Sequence, residues 1–366
     1  MKLNPVLERL TPYRAGPPLA AVQRRYNLAQ IARLSANESP EGPFPEVIEA
    51  LKEATSGLNR YPDGWCAELR ETLAAQLNIP EGCLVFGNGS CELLTLLADA
   101  FLGPDRRVVF PMPSFVMYRL IALANSAPFT AVVQPDLRYD VDALIEAVRD
   151  DTTLLIVCNP NNPTGDYLEP RQLRALIDRV PDHTVVVLDE AYGEFVTAAA
   201  DQDTAPWIAD YPNLVVLRSF SKIYGLAGLR IGYGIARPEV IDALDKLRQP
   251  FNVGTLSQVA ALESLRHPLR MEDRRAHVDS ERRRITASLE GIAVNVLPSQ
   301  GNFLLVDVSA LTLPGEEAVQ ALLERGVMVR SGYAMGCPGW IRVTIGKVEE
   351  DDHFLTAMRE LRGLES

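Results

Sequence analysis

LVVLRSFSKIYGLAGLR, residues 214–230, joins an apolar run to a lysine in unusual company. Leu214 to Leu217 carry no polar group, as in a strand covered on both faces. Behind them come Ser219, Ser221 and Lys222, then the small residues Gly225, Ala227 and Gly228, then Arg230. Two further stretches have the same construction: LLIVC (154–158) runs into NPNNPTG (159–165), and TVVVL (184–188) runs into DEAY (189–192). Doubly buried runs of this length predict a mostly parallel sheet. In such a sheet ligands bind in the crevice at the carboxyl ends of the strands, so the three polar tips should converge. Taken alone, NPNNPTG is equally a turn and Asp189 equally a helix cap.

Working outward, RVVF (107–110), LIALAN (120–125), RQLRALIDRV (171–180) and EVIDALDKLR (239–248) continue an alternation of strands and amphipathic helices. The expected fold class is α/β, with helices on both faces of the sheet. A charged stretch at 270–291, RMEDRRAHVDSERRRITASLEG, reads as a connecting helix with its charges in water. Beyond it AVNVLP, NFLLVDV, VMVRSG and WIRVTIG alternate with two helical patterns, as in a smaller α+β domain. TPYRAGPP (11–18) and ANESPEGPFP (36–45) are irregular and proline-marked. The expected division is 1–45 as an N-terminal arm and part of the small domain, 46–265 as the large domain, and 266–366 as the small C-terminal domain.

With 36 Lys and Arg against 48 Asp and Glu, the chain has a formal charge of −12. It offers no basic field for nucleic acid or anionic lipid. The five cysteines are scattered without a C-x-x-C pair, and the four histidines do not cluster. This predicts a reducing, cytoplasmic setting and no structural metal. No apolar run approaches a membrane span, and Pro and charge interrupt the first residues before a signal-peptide core could form.

Individual side chains can then be given chemistry. Asp189 closes a buried strand, where a carboxylate is costly unless a cation meets it. At an effective dielectric of about 20, a unit charge about 4 Å away contributes roughly 4 kcal/mol, enough to move a partner's pKa by about three units. A heteroaromatic nitrogen facing Asp189 would stay protonated. Lys222, between an apolar strand and Arg230, has the surroundings that lower an amine's pKa and make it a nucleophile. Ser219, Ser221 and Arg230 suit a phosphate dianion. GNGSCELL (87–94) reads as a glycine turn opening a helix, with Ser90 as N-cap and Glu92 in the first turn. Such a helix start binds phosphate, although a plainly capped helix accounts for the same residues. Phe115 follows a strand and could stack on a flat ring or belong to the core. Tyr192 and Asn162 offer a phenol and an amide for a ring oxygen.

Together these motifs resemble the fold-type I pyridoxal-phosphate enzymes, class I/II aminotransferases, and among them the histidinol-phosphate aminotransferase branch. The resemblance extends from LTPYRAG (10–16) and RLSANESPEGP (33–43) through LNRYPDG (58–64), PMPSFVMY (111–118) and QGNFLLV (300–306) to WIRVTIG (340–346). It implies pyridoxal 5'-phosphate as cofactor, with Lys222 as the Schiff-base lysine, Asp189 at the pyridinium nitrogen, and Asn162 with Tyr192 at the ring oxygen. Lys222, Asp189 and Tyr192 would be the catalytic groups. Phe115 would stack on the ring. The phosphate would be held by the amides of Ser90 and Cys91, by Ser219, Ser221 and Arg230, and by Tyr61 from a second subunit, which implies a homodimer with shared sites. Arg342 would take a substrate α-carboxylate, and Tyr13, Asn37 and Arg330 would line the substrate pocket.

The implied reaction is ping-pong transamination of a small-molecule amino donor, histidinol phosphate, with a 2-oxo acid, 2-oxoglutarate, as acceptor. An aromatic-amino-acid aminotransferase and a threonine-phosphate decarboxylase share most of these motifs, and a non-catalytic sensing module shares the fold. The chain departs from the branch at Cys91, where an acidic residue is usual, and at Phe115, where tyrosine is usual. Gly254 and the CPGW segment (337–340) are further departures.

Overall fold

The computed structural model describes residues 1–3, 5–12, 16–198, 203–313 and 315–364. A two-residue strand, β1 (Ala32–Arg33), comes first. Seven strands then form the main sheet: β2 (Leu84–Gly87), β3 (Arg107–Met112), β4 (Phe129–Val133), β5 (Thr152–Cys158), β6 (Val185–Asp189), β7 (Leu214–Ser219) and β8 (Gly232–Ile235). Their order across the sheet is β2-β8-β7-β6-β5-β3-β4. Strands β3 to β7 pair in parallel, while β8 runs antiparallel to both its neighbours. The α/β fold read from the doubly apolar runs is the one observed.

Both faces of the sheet are covered because successive side chains enter different cores. Val185, Val187, Val215 and Leu217 pack into one cluster, and Val186, Leu188, Leu214 and Val216 into the other. A strand with one face in water would have required alternation of apolar and polar residues. Short helices close these layers, their starts marked by the chemistry expected there. Pro45, Pro170 and Pro238 each open a helix, where proline's missing N–H costs nothing. Glu169 and Gln172 form a capping box.

The remaining strands are β9 (Phe303–Asp307), β10 (Val327–Met328), β11 (Arg330–Ser331) and β12 (Trp340–Thr344). They give a three-stranded antiparallel sheet, β11-β12-β9, beside a parallel pair of β1 with β10. In the register of β11 and β12, Arg330 faces Arg342. The segment after β1 threads between the two sheets: Leu34 N–H donates to Met328 O, and Leu34 O accepts from Thr344 N–H. It thereby carries residues 35–38 to the edge of the main sheet.

The charged stretch is one long helix, Pro268–Glu290, but its charges do not all face water. Arg274, Glu281 and Arg282 are buried. Arg274 donates to the carbonyls of Ile223 and Gly42, and Arg282 to that of Gly301 at 3.0 Å. Periodicity of charge concealed this, because a buried guanidinium is satisfied by loop carbonyls that no sequence pattern advertises.

Candidate active site

Parallel strands all present their carboxyl ends at one edge. The antiparallel pairing of β2 with β8 brings Gly87 and Gly232 to that same edge, in register with each other. Six segments therefore meet there: Asn88–Cys91 after β2, Phe115 beyond β3, Asn162 beyond β5, Asp189–Tyr192 at β6, Ser219–Lys222 at β7, and Arg230 ahead of β8. Between them and the small sheet lies a cavity of about 420 Å³. Ser90, Cys91, Phe115, Asn162, Asp189 and Tyr192 line it from the earlier strands. Ser219, Ser221, Lys222 and Arg230 line it from the later ones, and Arg330 with Arg342 from the small sheet.

At the floor, Asp189 is 2% exposed. Its Oδ2 accepts a hydrogen bond from the Tyr118 hydroxyl at 2.8 Å, and its Oδ1 one from Ala191 N–H at 3.2 Å. Burial raises its pKa, with these two bonds and the Lys222 charge acting against the rise. Lys222 borders the same cavity, its Nζ 3.5 Å from Ala36 O and 5.5 Å from the centre of the Tyr192 ring. Part of its surface opens on the cavity. Loss of bulk water, followed by the charge of Arg342, lowers the amine's pKa to about 8. A carboxyl and an amine are thus each pushed toward neutrality across one small space.

One wall is an anion cradle. Arg230 donates through Nη1 to Ser221 Oγ at 3.3 Å, and Ser219 Oγ accepts from Ser221 N–H at 3.1 Å. The helix Ser90–Phe101 starts there with Gly89 as its N-cap, at φ 75°. Ser90 is the first helical residue rather than the cap, and no side chain caps the helix; the Glu92 carboxylate accepts instead from Asn88 N–H, ahead of the first turn. A Cβ on Gly89 would lie 2.5 Å from Arg230 Nη2. Glycine at 89 leaves room for the guanidinium, whose Nη2 reaches Asn88 O at 3.5 Å beside the helix start.

The opposite wall reads polar groups. Tyr192 OH accepts from Asn162 Nδ2 at 3.2 Å and from Asn37 Nδ2 at 3.1 Å. Arg342 donates to Asn162 Oδ1 at 2.6 Å and to Ser35 O at 2.8 Å. Asn37 is 1% exposed and stands behind Tyr192 rather than on the cavity wall. Tyr61 does not reach the cavity of its own chain; it is 82% exposed and stacks on Phe251 at 4.7 Å. Gly254 caps the helix Thr255–Leu265 and is not among the residues lining the cavity. Tyr13 lies outside the described residues.

A cavity with a lysine of lowered proton affinity, a buried carboxylate and a phosphate cradle belongs to a known class of protein. The sequence model for "Aminotransferase class I and II" matches residues 29–358. The chain belongs to the class I and II aminotransferases. This aminotransferase is 41% identical over 366 residues to a histidinol-phosphate aminotransferase of Geobacillus thermodenitrificans, covering 99% of each chain. It is 39% identical over 369 residues to that of Bacillus subtilis, covering 99% of this chain and 100% of the relative. Its fold matches that of a histidinol-phosphate aminotransferase from Sinorhizobium meliloti, solved in complex with pyridoxal-5'-phosphate. The match has a TM-score of 0.89 and 28% identity, over 99% of this chain and 98% of that one.

The aminotransferase's own groups fit that cofactor. An amine, a buried carboxylate and an anion cradle occupy one cavity, where they would meet an aldehyde, a ring nitrogen and a phosphate, and the glycine beside the cradle holds a φ of 75°, strained for any other residue. Sequence reasoning missed Tyr118, Arg33, Glu38 and Met328, the last three of which line the cavity. Glu38 follows Asn37 directly and was within reach of the ANESP motif. Tyr118 lies one helical turn past Phe115, and nothing in its spacing says which carboxylate it meets. Among the described residues no cluster of His, Cys, Asp and Glu suits a metal, and no helix is long and apolar enough to cross a membrane.

Proposed function

We propose that this aminotransferase moves the amino group of histidinol phosphate to a 2-oxo acid, 2-oxoglutarate, by a ping-pong reaction. Pyridoxal phosphate, when bound, supplies an electrophilic aldehyde and a protonated ring that accepts electrons from the donor's α-carbon. Asp189 would hold the proton at the ring nitrogen, and Asn162 with Tyr192 would face the ring oxygen. Phe115 would cover the ring, and the amides of Ser90 and Cys91 with Ser219, Ser221 and Arg230 would hold the phosphate. Lys222 would take the proton from the donor's α-carbon and return one on the other side of the exchange. Its pKa near 8 leaves both protonation states accessible at neutral pH.

The observation that carries this reading is the meeting of Asp189 and Lys222, from adjacent strand ends, in one cavity. The substrate assignment is supported by the full-length likeness to histidinol-phosphate aminotransferases and by the charge of the cavity. Arg33, Lys222, Arg230, Arg330 and Arg342 line it against Glu38 and Asp189. Five cationic side chains against two carboxylates suit an anionic substrate beside an anionic cofactor. Arg342 would take the α-carboxylate of the acceptor, while Arg330, with Tyr13, would read the phosphate of the donor.

Tyr61, exposed and stacked on Phe251, would reach the site of a second copy, making the working form a homodimer. The proposed units are an arm and small-domain segment to residue 45, a large domain to 265, and a small domain beyond. All five cysteines are free thiols, which supports a cytoplasmic setting. The test is the visible absorbance of the cofactor-loaded protein on adding histidinol phosphate without a 2-oxo acid. Loss of the band is expected. An unchanged band would overturn the substrate assignment, and carbon dioxide release without an acceptor would overturn the reaction.

A further inference from the structure

Asp189 sits where burial opposes its charge, and the reading above requires that charge. The most direct support for it is not on the strand that carries it. Tyr118, on the helix Val116–Ala124, is completely buried and donates its hydroxyl to Asp189 Oδ2 at 2.8 Å. Building on the proposed function, we propose that Tyr118 is a positioning residue that keeps Asp189 ionised and fixed in orientation, and so sets the lower pH limit at which the cofactor is held.

The geometry leaves Tyr118 one role. With Ala191 N–H on Oδ1 and Tyr118 O–H on Oδ2, each carboxylate oxygen has one donor, and rotation about the Asp189 side chain would break both bonds. The phenol is itself held far above its ordinary pKa, first by burial and then by Asp189 and Cys158. It therefore remains a donor throughout the working range and does not compete for the proton at Asp189. The other groups facing Asp189 are few. Cys158 on β5 and Cys91 on the helix after β2 have raised pKa values and stay neutral. Tyr139 and Tyr192 are likewise raised. Glu190 opposes its charge and Lys222 favours it. Once Lys222 loses its proton, Tyr118 and the Ala191 amide are the principal groups still favouring the carboxylate.

The sign follows from linkage. A buried acid of raised pKa is ionised above that pKa and neutral below it, and a neutral Asp189 offers nothing to a ring cation. Cofactor affinity should fall as pH falls through the Asp189 pKa. Removing a hydrogen bond to a charged group shifts the acid's pKa upward by about one to two units.

The experiment measures pyridoxal phosphate affinity of the cofactor-free protein by fluorescence titration from pH 5 to 9, for the wild type and Tyr118→Phe. It also records the nitrogen-15 chemical shift of the bound ring. The expected result is an acid limb displaced upward by about one to two pH units in Tyr118→Phe, with a ring-nitrogen resonance moved toward the unprotonated position. In case Tyr118→Phe folds poorly, 3-fluorotyrosine placed at 118 alone provides a second test. Its more acidic phenol donates more strongly, so the limb should move down instead. A uniform loss of affinity at every pH with an unmoved nitrogen resonance would reduce Tyr118 to packing and overturn the inference. Failure of the wild type to bind the cofactor at any pH would overturn the inference and the proposed function together.

Discussion

Lys222 should make the empty protein less stable than it would be without an amine at that position. Its pKa falls from the ordinary 10.5 to about 8 because the cavity removes it from bulk water beside Arg342. At 1.36 kcal/mol per pH unit that fall corresponds to roughly 3.4 kcal/mol. Lys222 remains partly exposed, so solvent screens the charge and about 1–2 kcal/mol is the expected effect. The sign is that of a depressed base. Between pH 8 and 10.5 the unfolded chain binds the extra proton, so stability rises with pH through that window and the full penalty applies below it. Lys222→Met keeps the length and apolar stem and removes the charge. Urea unfolding of the cofactor-free proteins should find the variant more stable by about 1–2 kcal/mol at pH 7, with the gap closing toward pH 10.5. A gap that does not change with pH, or a variant less stable at pH 7, would refute the account of how this lysine is activated.

Other consequences follow from single contacts. Gly89→Ala should cost about 1–3 kcal/mol through its backbone alone, at φ 75°, and should push Arg230 off the cradle. Pyridoxal phosphate affinity would drop by at least about tenfold in a fluorescence titration, and unchanged affinity would count against the cradle. Tyr61→Ala and Lys222→Ala should each be inactive, yet regain activity when unfolded together and refolded as mixed dimers. No recovery at any mixing ratio would exclude a site shared between subunits. Asp351 is completely buried, its Oδ2 meets no hydrogen-bond donor, and burial raises its pKa to about 8. A raised acid destabilises the fold as pH rises from 3.8 toward 8. Asp351→Asn should therefore stabilise the protein by about 1–3 kcal/mol at pH 8 and by less at pH 5, as thermal unfolding at the two pH values would reveal.

The parts of this molecule legible in its sequence are those where one physical rule acts locally. Doubly buried strands announce themselves as unbroken apolar runs, so the main sheet and the edge at which Asp189, Asn162 and Lys222 meet could be read from LLIVC, TVVVL and LVVLR. Charge at 270–291 misled because amphipathic reading assumes that an arginine seeks water. Arg274 and Arg282 find backbone carbonyls instead. NPNNPTG shows the same limit within seven residues. Its three asparagines are alike in sequence, but Asn159 bonds the Leu168 backbone on both sides and Asn161 ties Ser114, Pro113 and Thr164 together. Only Asn162 turns its amide to Tyr192 and Arg342. Which asparagine staples and which one faces the cavity depends on partners up to 180 residues away.

Asp189 and Lys222 are displaced in opposite senses, the acid upward and the amine downward, and each is the other's weak remedy. Bringing them together as an ion pair would relieve both, yet Asp189 is held by Tyr118 and Ala191 while Lys222 points to Ala36. The fold therefore keeps two strained charges apart across a space lined by further cations. A ligand with a ring nitrogen at one end and a phosphate at the other answers both conditions at once. The nitrogen would give Asp189 a cation, and the dianion would offset Arg230. Binding affinity for such a ligand then comes from charges that the empty protein pays for in stability, which is why replacing Lys222 should stabilise the empty fold while abolishing its chemistry.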